Sequence, residues 1–108
     1  MNEILQLEPC EVKARLDAGD DFALIDVRET PEFAFNRIDG AQLHPLSEIY
    51  QWVNALDKER EYVIYCHHGM RSMQACMFMR RNGFSRLANL AGGIDAWSRE
   101  VDPAVPLY

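Results

Sequence analysis

The residues with chemistry to offer sit close together: Cys66-His67-His68-Gly69-Met70-Arg71, followed by Ser72. Cysteine supplies a nucleophile whose reactive form is the thiolate. Just before it runs Tyr62-Val63-Ile64-Tyr65, four residues with strong strand preference. Just after it, Ser72 opens Met73-Gln74-Ala75-Cys76-Met77-Phe78-Met79, apolar and rich in helix formers. The reading is strand, tight loop, helix. That layout turns loop N–H groups and the positive end of a helix dipole toward the sulfur. A thiol held there loses its proton readily, because the surroundings favour the anion. Gly69 permits a positive φ or a close backbone approach. Arg71 carries a planar fork that suits either binding an oxyanion donor or bracing the loop.

The other elements have to hold this loop in place. Ile4 to Leu7 reads as a short first strand. Pro9 suits a helix start, and Val12 and Leu16 then share a face; Gly19-Asp20-Asp21 ends that helix. Phe22 to Val27 is a compact apolar run, read as a buried strand. Thr30-Pro31-Glu32 predicts a helix capped by Thr30 and running to about Asn36. Ala41 to His44 reads as a third strand. Ser47 is expected to cap a helix whose Ile49, Trp52, Val53 and Leu56 face the core. A charged turn, Asp57 to Glu61, leads into the central strand. Asn82-Gly83 stops the next helix. Arg86 to Leu90 forms a last strand, and Gly92-Gly93 enters a helix over Ile94 to Arg99. The tail, Val101 to Tyr108, lies extended on the domain. Strands alternating with helices predict an α/β fold: a parallel sheet of about five strands with helices on both faces. Ligands in such sheets bind at the carboxyl ends of the strands. Asp26 to Arg28, His44 and the cysteine loop all fall there.

Composition narrows the function. The 108 residues are expected to form one domain over 1–108, and 48% of them are apolar. A net charge of −6 argues against nucleic-acid and anionic-membrane partners. A local positive pocket from Arg28, Arg37 and Arg71 remains compatible with it. No apolar run approaches the ~20 residues that span a bilayer. Met1-Asn2-Glu3-Ile4-Leu5 lacks the basic and apolar parts of a signal peptide. Three cysteines without paired spacing make no disulfide framework. Cytoplasmic residence is therefore expected.

Four segments carry a family resemblance. Ile25-Asp26-Val27-Arg28-Glu29 is similar to a first signature of the rhodaneses. Glu32-Phe33 with Arg37-Ile38-Asp39-Gly40-Ala41 resembles their E-F/Y…G-H-I-P-G-A segment. Cys66 to Ser72 matches the C-x-x-G-x-R-S active loop. Leu90-Ala91-Gly92-Gly93-Ile94-Asp95-Ala96-Trp97 is similar to their closing L-x-G-G-I/W-x-x-W segment. In this order and spacing they cover nearly the whole chain, which thus resembles a single-domain rhodanese, a sulfurtransferase. Asn36-Arg37 and Asp39 depart from the pattern and read as surface changes. The loop has no lysine, which some thiosulfate-using relatives carry.

The resemblance implies that Cys66 takes a sulfane sulfur from a donor, thiosulfate or a persulfide, and holds it as a persulfide. It then passes it to a thiophilic acceptor: cyanide, a thiol or a protein. His67, His68, Gly69, Met70, Arg71 and Ser72 would cradle the anion. No cofactor and no metal are implied. Adjacent residues such as His67 and His68 rarely point at one metal. Asp26 and Arg28 are read as structural residues near the site that brace the fold through ion pairs, with Glu32 a candidate third member. Cys76 shares a helix face with Ser72, Ala75 and Met79 and reads as core; Cys10 is incidental. His44 is a strand-end residue. Met73 and Met77, with Met70, could form a soft docking stripe for a sulfur-donor or sulfur-acceptor protein, or else pack under a helix. A second enzyme reading is a phosphatase or arsenate reductase. Those related phosphatases use C-x5-R, and the shorter C-x4-R here suits a single sulfur atom. A third reading is a non-catalytic binding module, which usually lacks the cysteine that is present here.

Overall fold

A computed structural model describes residues 4–108. Five strands form one sheet in the order β1-β5-β4-β2-β3: Leu5–Leu7, Leu87–Leu90, Tyr62–Tyr65, Ala23–Asp26 and Gln42–Leu43. Every pairing is parallel. β4 is central. Ala23 pairs with Tyr62 and Asp26 with Tyr65, so β2 and β4 end level and the chain leaves both strands side by side.

Alternate residues of the strands serve opposite faces. Tyr62 and Ile64 join Ala23 and Ile25 in a core that includes Trp52, Val53, Ala75, Cys76, Met79 and Phe84. Val63 and Tyr65 face the other way, with Leu24, Val12, Leu90, Ile94 and Trp97. These two cores are covered by helices from different parts of the chain. α1 (Pro9–Asp17) and α5 (Gly93–Glu100) contact each other on one face; α4 (Met70–Arg81) packs across β4 and β5. Among the described residues no helix is long and apolar enough to cross a membrane.

Several expected boundaries move. α2 spans Thr30–Phe35 and its N-cap is Glu29, not Thr30. The Glu29 N–H donates to Glu32 Oε1 at 3.0 Å, a reciprocal capping arrangement that the Thr-Pro signal obscured. The expected helix after Ser47 is only a single α turn, α3 (Ile49–Trp52), between 3-10 turns at Leu46–Glu48 and Val53–Ala55. Trp52 Nε1 reaches back to the Pro45 carbonyl at 2.7 Å. Ser47 does not cap it; its hydroxyl donates to Glu29. The third strand shrinks to two residues, after which the His44 N–H donates to the Asp26 carbonyl and the ring lies against Trp52. α4 begins at Met70, two residues before the expected Ser72, because Gly69 at φ +108° turns the chain directly into the helix.

Candidate active site

Cys66 is the first residue after β4 and is 1% exposed. The Gly69 N–H donates to its Sγ at 3.1 Å and the Ser72 N–H at 3.4 Å. First-turn N–H groups have no partner within their own helix. The sulfur therefore takes the place of an N-cap acceptor, where negative charge is favoured. Ser72 Oγ also lies 3.4 Å from Sγ. Its single hydroxyl hydrogen is directed to Asn89 Oδ1. Toward the sulfur it thus offers a lone pair, suited to a thiol S–H, while the two backbone donors serve the anion.

Asn89, on β5, was not singled out from the sequence. It is buried, and its Nδ2 donates to Gln6 Oε1 at 3.0 Å and to the Gly69 carbonyl at 3.4 Å. It thus ties the turn of the loop to two strands. The available signal was a lone amide in the apolar run Leu87-Ala88-Asn89-Leu90. Gly93 gives the closing glycine pair a physical role. The Ile94 N–H donates to the Cys66 carbonyl at 2.9 Å and the Asp95 N–H to that of His67 at 3.1 Å. The start of α5 thereby occupies the carbonyl side of the loop and leaves its N–H side to the sulfur. A Cβ on Gly93 would stand 2.6 Å from the Cys66 carbonyl oxygen and 2.5 Å from that of His67.

The charges are arranged differently from the expected positive pocket. Arg28 is fully buried and forked onto Asp26, with Nη2–Oδ2 at 2.7 Å, and also donates to Asn36 Oδ1 and to the Tyr108 hydroxyl. Arg71 is forked onto Glu32 with both contacts at 2.8 Å. Glu32 therefore braces the loop directly and meets the Asp26–Arg28 pair only through the Tyr108 hydroxyl, which accepts from Arg28 and donates to Glu32. Arg71 draws the Glu32 carboxyl down to about 2, with help from the Glu29 N–H and the Tyr108 hydroxyl. Arg37 is exposed and stacks on Phe33. Asn36, read as a surface change, is buried, and its amide donates to the Pro106 carbonyl. The tail is thereby fixed at the site: the Tyr108 ring stacks on His67 at 3.8 Å, and His67 Nε2 meets the Tyr108 carbonyl at 2.9 Å.

The His67 and His68 rings lie 3.8 Å apart, tilted by 33°, and their donor atoms lie within 4.8 Å of those of Asp95. Adjacency does not separate the two rings as expected. Asp95 and His67 already have partners, in Arg99 and Tyr108. Burial, then the neighbouring His68, lowers the His67 pKa. Cys76 lies in the core as expected, and burial pushes its thiol up to about 12. Cys10 is exposed. Met70 is 78% exposed and Met77 42%, whereas Met73 is half-buried against the core, its sulfur taking a bond from Gln6. An open groove of about 600 Å³ beside Lys13, Ile38 and Trp97 includes no loop residue.

Residues 8–100 match the family model of the Rhodanese-like domain. The chain belongs to the rhodanese-like family. This rhodanese-like chain is 37% identical over 101 residues to a putative sulfurtransferase, YtwF, of Bacillus subtilis, covering 94% of the chain and 97% of YtwF. It is 39% identical over 104 residues to MoeZ of Mycobacterium tuberculosis, named a probable adenylyltransferase/sulfurtransferase. That match takes in 94% of this chain but 26% of MoeZ, so the chain spans about a quarter of that relative's length. A crystal structure of a rhodanese-like domain protein from Staphylococcus aureus superposes with a TM-score of 0.83 at 28% identity, over 97% of this chain and 99% of that one. Family membership, with a near-full-length relative named a sulfurtransferase, supports sulfurtransferase activity in general.

Proposed function

We propose that Cys66 accepts a sulfane sulfur, carries it as a persulfide and passes it to a thiophilic acceptor. One observation carries this reading: the Gly69 and Ser72 N–H groups converge on Sγ at the end of the central strand. With thiosulfate as donor, the Cys66 thiolate attacks the outer sulfur. The bond between that sulfur and the sulfonate breaks, and sulfite leaves with the electron pair. The outer persulfide sulfur is then attacked by cyanide, a thiol or an acceptor protein, and Cys66 leaves as thiolate. Each species on Cys66 is an anion that the two N–H groups can stabilise. The raised Cys76 thiol stays protonated and takes no part. Exposed Met70 and Met77 leave a soft surface for an acceptor protein, narrower than the stripe expected. A single domain over 1–108 and a cytoplasmic location belong to the same proposal.

A phosphatase would need an arginine free to hold phosphate, and Arg71 is already forked onto Glu32. The test is mass spectrometry of the chain after exposure to a sulfane donor, followed by cyanide. One added sulfur on Cys66, removed by cyanide as thiocyanate, is expected. Cys66→Ser is nearly isosteric, so it should fold normally and lose turnover; a fully active Cys66→Ser chain would sink the assignment.

A further inference from the structure

His67 and His68 come to one side of the loop although they are neighbours in sequence. In a strand, successive side chains point to opposite faces. Here the Cys66 and His67 carbonyls both turn toward the start of α5, accepting from the Ile94 and Asp95 N–H groups. That breaks the alternation, and the two ring centroids lie 3.8 Å apart. The same contact brings in a third group. Because the Asp95 N–H is bound to the His67 carbonyl, the Asp95 carboxylate starts out beside the loop. One donor atom from each of His67, His68 and Asp95 lies within 4.8 Å of the other two.

Two of these three groups are already held. His67 stacks on Tyr108, and its Nε2 meets the Tyr108 carbonyl, a contact that uses one of two ring nitrogens. Asp95 accepts from Arg99 Nε at 3.0 Å through Oδ2, one of its two oxygens. The His68 ring is exposed and has room to adjust. Around a tetrahedral Zn²⁺, with bonds of about 2.0–2.2 Å, ligand atoms stand about 3.3–3.6 Å apart. The cluster therefore has to contract by no more than about 1.5 Å, and the exposed His68 side chain can supply that. Two imidazoles and a carboxylate suit late first-row divalent ions such as Zn²⁺, whereas Mg²⁺ and Ca²⁺ take all-oxygen sets. The Cys66 sulfur is not part of the set. It is 1% exposed and faces the Gly69 and Ser72 N–H groups, away from the carbonyl side that α5 holds. We propose that His67, His68 and Asp95 bind one divalent ion of the Zn²⁺ class, apart from the Cys66 sulfur and with a fourth position open to water or a further ligand. Such an ion ties the loop to α5, so its binding stabilises the folded chain.

The test uses the full chain without a histidine tag, in wild type and in Asp95→Asn, His68→Gln, Cys10→Ser and Cys66→Ser. The probes are Zn²⁺ in titration calorimetry and Co²⁺ in absorption spectroscopy. Wild type should bind one Zn²⁺ per chain. Asp95→Asn and His68→Gln should each weaken binding by at least the about 10–100-fold that loss of an outer-shell partner costs. The two cysteine variants should bind as tightly as wild type, since neither thiol is a ligand. Co²⁺ should give visible d–d bands without a sulfur-to-metal charge-transfer band in the near ultraviolet. Zn²⁺ should also raise the melting temperature of wild type and of Cys66→Ser, and leave that of Asp95→Asn unmoved. Melting curves without metal report whether each variant folds; should Asp95→Asn fail, His68→Gln decides, because its ring is exposed. Absence of saturable Zn²⁺ binding by wild type overturns the proposal, as does wild-type affinity in a folded ligand variant. Loss of binding in either cysteine variant, or a sulfur-to-cobalt band in wild type, would put the ion on a thiolate and overturns it as well.

Discussion

At Cys66 two backbone donors act on one sulfur, and the loop's other side is held by α5. The donors can be aimed only if the carbonyls of Cys66 and His67 are occupied elsewhere, and that occupation requires Gly93. Its φ is +63°, and its missing Cβ leaves room for the loop backbone. Gly93→Ala combines left-handed strain with a backbone collision, and the obstacle is not a flexible side chain that could swing away. It should cost about 2–4 kcal/mol and lower turnover more than a matched loss of stability elsewhere would. Chemical denaturation alongside the cyanide assay checks this; unchanged stability and rate would show that the loop does not depend on the close approach. The strand–loop–helix geometry around Cys66 was legible, because a β-run ending in Cys66 and a loop with one glycine point to a single arrangement. Asn89 was not. Its amide links three segments far apart in sequence, and its residue type says nothing about partners. Arg71 left two uses open, and only the fold could choose, by setting Glu32 opposite it.

Elements with one strong local signal were readable: the central strand, the glycine stop after α4, and the helix that opens at the glycine pair. Those resting on competing local signals shifted. Thr30 and Glu29 both precede Pro31, and the reciprocal bond from Glu32 favoured the earlier residue. The segment from Leu46 to Ala55 has the apolar spacing of a helix but tightens at both ends, so pattern alone overstated its length. For the Cys66 loop, length is the variable that matters. Gly69 is both the donor closest to the sulfur and the N-cap of α4, so its distance from Cys66 sets the radius of the cradle. Inserting one glycine between His68 and Gly69 should move that N–H out of range while α4 stays anchored through Ala75, Cys76 and Met79. Loss of one charge-assisted donor corresponds to about 10²–10³ in rate. Turnover of the insertion variant with its best donor, measured beside its melting temperature, tests the claim. A rate within twofold of wild type would mean that cradle size is not what tunes the loop to sulfur.

Across the whole molecule, the parallel sheet with its helices followed from alternation of strand and helix, whereas the strand order β1-β5-β4-β2-β3 had no local signature. The tail could not be anticipated in detail. Its contacts with Asn36, Arg28 and His67 span most of the chain and have no local signature. Those contacts join one network: Arg28 to Tyr108, Tyr108 to Glu32, Glu32 to Arg71, linking β2, the tail, α2 and α4. Glu32 makes this network sensitive to acid. Its carboxyl titrates near 4.5 when unfolded and near 2 in the folded chain. Between those values the unfolded state binds more protons, so stability rises with pH. The contribution is complete above about pH 4.5 and disappears as pH falls toward 2. Glu32→Gln removes this titration and leaves the other carboxylates in place. Denaturation midpoints measured from pH 7 down to pH 2 should therefore fall less steeply in the variant. The difference should reach about 1–2 kcal/mol once solvent screening of a partly exposed pair is allowed for. At neutral pH the variant is the less stable by that amount, because it has lost the pair, so the two curves should converge as acid is added. Parallel curves over the whole range would mean that the Glu32–Arg71 fork positions the loop without stabilising the fold.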